Sequence, residues 1–94
     1  MIRHLVMWVL HDPNDADYFK AQLDSCHGII DGLLVLEVGI MSDALEANCH
    51  VALNTLLRDE AALAAYHAHP QHQKVKQSIA SLARSRQVLD YIVS

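Results

Sequence analysis

Hydrophobic and polar positions along this chain repeat with two different periods, and the switches between them mark its elements. Residues 2–11, IRHLVMWVLH, are almost continuously apolar. Ile2, His4, Val6, Trp8 and Leu10 fall on one side of an extended segment, and Leu5, Met7 and Val9 on the other. A strand covered on both faces has this pattern. The segment stops at DPND, a turn signal. From Asn14 to about His27 the repeat lengthens. Ala16, Phe19, Leu23 and Cys26 recur at spacings of three and four, which predicts a helix that starts at Pro13 or Asn14 and stops at Gly28. GLLVLEVGIM (32–41) returns to strand character, apolar on both faces except at Glu37. After the polar SDALEAN, CHVALNTLL (49–57) reads as a third strand.

Asp59 then offers an N-cap and Glu60 a first-turn acid for the alanine-rich EAALAAYHA. Pro70 cannot continue that helix. It can open a second one, PQHQKVKQSIASLARS (70–85), with His69 at the boundary and Val75, Ile79, Leu82 and Ala83 on its apolar side. QVLDYIV (87–93) closes the chain as a fourth strand. The order β-α-β-β-α-β in 94 residues predicts a single α+β domain, a ferredoxin-like sandwich with helices on one sheet face. The other face, with Leu5, Met7 and Val9, has nothing left in the chain to cover it. Leaving several such side chains in water costs on the order of 10 kcal/mol as an upper figure. The expectation is a homodimer with two sheets packed face to face.

Composition supports a buried partner face. The chain is 52% hydrophobic, at the top of the usual range. Its net charge is −4 and its lysines and arginines are scattered, which argues against nucleic acid or an anionic membrane as partner. The apolar run Leu5–Leu10 is too short for a membrane span, and no signal-peptide cleavage pattern follows it. Cys26 and Cys49 form no CxxC pair and read as reduced thiols of a cytoplasmic protein.

The densest chemistry is YHAHPQHQ, residues 66–73. His67, His69 and His72 have the H-x-H-x-x-H spacing seen in metallo-β-lactamase-like hydrolases, but Gln71 stands where their aspartate would be. Residues two apart on a helix point to different sides, so no metal or other cofactor is expected. Acid/base chemistry fits the spacing better. Tyr66, His69 and His72 are three apart and share a face if the helix only kinks at Pro70, whereas His67 turns toward solvent. His4, Val6 and Trp8 share one face of the first strand, and His50, Ala52 and Asn54 one face of the third. If both faces meet the helices, His4, His50, Tyr66 and His72 gather at one pocket. An imidazole serves as base or acid near neutral pH, and a phenol donates to a carbonyl oxygen that gains charge. The plain alternative stands beside it: His69 as a helix cap and His4 as a satisfied core histidine. Asp90, before Tyr91 in the last strand, is expected to pair with an arginine or histidine.

Taken together these residues resemble the Dabb family, the stress-responsive dimeric α+β barrel domains. The resemblance runs from His4 in IRHLVMWVL through LLVLEVG to the Y-x-x-H-P-x-H of EAALAAYHAHPQH and the Asp-Tyr of SRQVLDYIV. The chain departs from the common pattern at Asp31 and at Leu56 or Leu57. The resemblance implies a ferredoxin-like monomer, a homodimer, and a pocket between sheet and helices. By analogy with the plant polyketide cyclases (olivetolic acid cyclase-like) of that family, His72 is the general base and Tyr66 its partner at the substrate carbonyl. His4, Val6, Trp8, His50 and His69 line the binding site. The implied function is binding of a small apolar carbonyl compound, with cofactor-free cyclase- or lyase-like chemistry. A non-enzymatic stress or assembly protein, and a cofactor-free monooxygenase-like barrel, are the alternatives.

Overall fold

The computed structural model describes residues 1–94. Its main elements are β1 (Ile2–Leu10), α1 (Ala16–Asp24), β2 (Leu33–Ile40), β3 (Val51–Leu57), α2 (Glu60–Ala68), α3 (Pro70–Ile79) and β4 (Ala83–Ile92). Short 3-10 turns, Pro13–Asp15 and Ala80–Leu82, precede α1 and β4. The strands form one antiparallel sheet in the order β2-β3-β1-β4. With all the helices on one face, this is the expected ferredoxin-like α+β sandwich.

Local chemistry sets the helix ends. The Asp59 carboxylate accepts the Ala62 N–H at 2.8 Å and caps α2. The chain beyond α1 turns at Gly28, whose φ of +68° is the left-handed region glycine enters freely. Gly32 serves a different need, because a Cβ there would collide with Ala62 and push α2 away from the start of β2.

Strand parity decides what each side of the sheet does. Ile2, His4, Val6, Trp8 and Leu10 are all buried under the helices. Trp8 pairs with Val51, Val6 with Leu53 and His4 with Thr55, so the odd-numbered residues of β3 share that buried side. Ala52 and Asn54 therefore lie on the open face, where Asn54 accepts a hydrogen bond from Arg3 at 3.0 Å. This corrects the expectation that they point to the helical layer. The large apolar side chains of β3 (Val51, Leu53 and Leu57) select the core side, and the other set follows. Met7, Val35, Leu89 and Tyr91 stand exposed on the open face.

The last helix and strand also differ from the sequence pattern. α3 ends at Ile79, and β4 begins at Ala83 rather than at residue 87. The segment ARSR favours a helix locally, but Arg86 pairs with Trp8 and Ala83 with Leu10, across a bulge near Val9. Pairing with β1 outweighs the local preference. The helices pack over β2, β3 and the core side of β1, while the helix-side residues of β4 (Arg86, Val88 and Asp90) stay exposed. The sheet thus extends one strand beyond its helical cover. No helix is long and apolar enough to cross a membrane.

Candidate acid–base site

The overhang leaves a cavity of about 420 Å³ between α2, α3 and the β1–β4 side of the sheet. His4, Val6 and Trp8 of β1 form its floor, and Tyr66 and His72 form one wall. Val75 and Ile79 of α3 add apolar lining. Trp8 is fixed by an edge-on contact with Phe19, ring centroids 4.9 Å apart. Of the residues expected to form the site, His4, Val6, Trp8, Tyr66 and His72 are brought together here, and His50 and His69 are not.

His50 precedes β3 and works as a backbone cap. Its Nδ1 accepts the Leu10 N–H and its own N–H donates to the Trp8 carbonyl, both at 2.8 Å. It lines a separate hollow beside Met41 and Leu45. His69 joins the two helices in an extended conformation, and its Nδ1 accepts the Gln71 N–H at 3.0 Å. Both are corrections to the expected ligand-binding set, and in each case a backbone N–H claims the imidazole. Asp31, Leu56 and Leu57 are also absent from the cavity wall.

His67 is the opposite correction. Instead of meeting solvent, its ring stands edge-on to His4 and to His72, with both centroid distances 5.1 Å. A helical projection treats everything a step round from Tyr66 as outward. Here the sheet continues past α2, so that flank looks over β4 and becomes cavity wall.

Tyr66 and His72 meet edge to face, their ring centroids 4.7 Å apart. Tyr66 is almost fully buried. Burial, and secondarily the Cys26 thiol, push its phenol well above the ordinary value, so at neutral pH it is an O–H donor. His72 Nδ1 is cut off from solvent with no hydrogen-bond partner in the protein. Burial first, then the His67 and His4 rings, lower the His72 pKa to about 4, while the His67 backbone pulls the other way. It is therefore a neutral imidazole at pH 7. His67 is also lowered, by burial first and then by His4, while Asp90 pulls the other way.

His4 is held from the β4 side. Its Nδ1 lies 2.5 Å from Asp90 Oδ1, the pairing anticipated for this carboxylate. A carboxylate is an acceptor, so Nδ1 carries the proton and Nε2 remains to act in the cavity. His4, His67 and Asp90 also offer ligand atoms within 4.8 Å of one another. That is a compact two-histidine, one-carboxylate group, and it differs from the H-x-H-x-x-H set in the sequence because His69 is turned away.

The family described as Stress responsive A/B Barrel Domain (Dabb) matches residues 2–93. No curated protein matches the chain. A dimeric ferredoxin-like protein from Thermobifida fusca YX superposes with a TM-score of 0.87 at 22% identity, covering 98% of this chain and 90% of that one. Another from Jannaschia sp. CCS1 has a TM-score of 0.78 at 27% identity, with 98% of each chain covered. The hydroxynitrile lyase of Passiflora edulis has a TM-score of 0.81 at 16% identity, covering 99% of this chain and 93% of the lyase.

Proposed function

The chain belongs to the Dabb family of stress-responsive A/B barrel domains, and from that premise we propose that its cavity binds a small carbonyl compound and carries out cofactor-free acid–base chemistry on it. His72 is the base and Tyr66 the donor. The observation that carries this reading is the edge-to-face pair of His72 and Tyr66, ring centroids 4.7 Å apart, in the wall of a largely apolar cavity. A carbonyl oxygen seated at the Tyr66 hydroxyl gains a hydrogen bond as it becomes negative. The neutral His72 takes the proton released by enolisation, ring closure or lyase-type cleavage. The Tyr66 hydrogen bond to the developing enolate offsets the cost of placing a proton on so weak a base, and the low proton affinity of His72 favours returning it. His4, oriented by Asp90, is placed to relay or hold a second proton.

The hydroxynitrile lyase among the structural neighbours is consistent with this class, since cleavage of a hydroxynitrile calls for a base at a hydroxyl and a donor that steadies developing charge. The same reading places the protein in the cytoplasm, with its two cysteines free. It pairs two copies through the open sheet face around Met7, Val35, Leu89 and Tyr91. Sedimentation velocity at micromolar concentration then gives a dimer, and a stable monomer rules out that pairing.

Imidazole NMR signals followed while 2,4-nonanedione is titrated in test the binding site. The reading requires shifts at His4, His67 and His72 with little change at His50 and His69. Shifts confined to His50 or His69, or no shifts at all, would exclude it.

A further inference from the structure

Resting on the reading above, we propose that the substrate of this cavity carries a carboxylate, held at the mouth by Lys76, Arg84 and Arg86 while its apolar chain lies against Trp8, Val75 and Ile79. The chain is acidic overall, with a net charge of −4 and only seven lysines and arginines. Three of those seven line this one cavity. They come from two elements, α3 and β4, that the fold brings to one rim. Lys76 stands one helical turn beyond His72 on α3. Arg86 lies opposite Trp8 on the helix side of β4, and Arg84 is beside the bulge at Val9 and Leu10.

None of the three is in a salt bridge; the close pairs that the carboxylates of the chain do form are His4–Asp90 and Lys20–Asp24. Asp90, the carboxylate on the helix side of β4, is taken by His4. A greasy cavity with unpaired cations at its edge matches an amphiphilic acid. A neutral carbonyl compound would have no use for the charges, and arginine is suited to a planar carboxylate through two parallel hydrogen bonds.

The charges also reach the base. Lys76 and Arg86 help to lower His67, and Lys76 helps to lower His72. A bound carboxylate cancels part of that positive field and so makes His72 more basic when substrate is in place. Selectivity for an acid and activation of the base then come from the same contacts.

Trp8 is the only tryptophan of the chain and forms part of the cavity wall, so its fluorescence reports occupancy directly. Octanoate and octanamide are titrated against the full chain at low salt, then against the triple variant Lys76→Gln, Arg84→Gln, Arg86→Gln. These side chains are exposed, so the variant keeps the fold, with circular dichroism as the check. Octanoate is expected to bind about tenfold more tightly than octanamide, the size of one charge-assisted contact at a wet rim. That gap closes in the triple variant and in about 0.5 M salt. Equal affinities in the wild type, absence of octanoate binding, or a preference that survives the triple substitution would overturn the proposal. Proton-exchange activity lost in His72→Ala is a separate readout, so equal affinities with that loss intact would remove the anion site and leave the acid–base reading standing.

Discussion

His4 Nδ1 meets Asp90 Oδ1 at 2.5 Å because the two residues are directly opposed across the antiparallel β1–β4 pair, on the side that faces the helices. Asp90 stands on the strand the helices leave uncovered, so one partner is buried and the other half-exposed. Replacing Asp90 with Asn keeps the shape and removes the charge that fixes the imidazole. The expected loss is about 1 kcal/mol, typical of a part-buried charged hydrogen bond, read as a lower urea midpoint. An unchanged midpoint would show that the pair contributes nothing to stability.

The pH dependence of stability carries a sign that follows from His72. Its pKa is near 4 in the folded chain and about 6.5 when unfolded. Between those values the unfolded chain binds the extra proton, so stability rises with pH across the window. The contribution is complete above about pH 6.5 and is lost as pH falls toward 4. His67, lowered in the same sense, adds to the slope. Urea midpoints measured from pH 4 to pH 7 should flatten when His72 is replaced by Leu. The same slope in the variant would contradict the assignment.

His69 and His72 are three residues apart and should behave differently. His69 caps α3 through the Gln71 N–H. Its replacement by Ala is expected to cost about 1 kcal/mol of stability and to leave turnover per folded molecule unchanged. A large fall in turnover with normal stability would place His69 in the chemistry instead.

The compact group of His4, His67 and Asp90 gives a further test of cofactor-free action. Prolonged EDTA treatment leaves activity as it was. Added zinc inhibits, because it ties up the nitrogen and carboxylate atoms that orient His4. Activity that disappears on chelation and returns with a divalent metal would contradict this and make the trio a working metal site.

Much of this arrangement was legible along the chain. Alternation in IRHLVMWVL placed His4, Val6 and Trp8 on one side, and Pro70 with His69 broke the second helical region where it is broken. The start of β4 was not legible, since ARSR has no strand pattern and is held extended only by pairing with β1. Alternation does not reach His50, which sits just before β3, where backbone contacts to Leu10 and Trp8 direct the ring. The inward turn of His67 is invisible in the sequence because no local pattern shows that the sheet runs one strand past its helices. The cationic rim was hidden for the same reason, as Lys76, Arg84 and Arg86 look scattered until β4 folds back beside α3. A sequence signal for Asp90 did exist: a carboxylate amid the apolar residues of a terminal strand wants a partner.

The most direct measurement of the central claim is the exchange of the acidic α-protons of 2,4-nonanedione in D2O, followed by NMR with wild-type protein, His72→Ala and Tyr66→Phe. The wild type is expected to catalyse exchange above the buffer rate. A fall of about 10²-fold is expected in each variant while the fold is retained by circular dichroism. Exchange that proceeds equally well in all three proteins, or a wild type no faster than buffer, would contradict it.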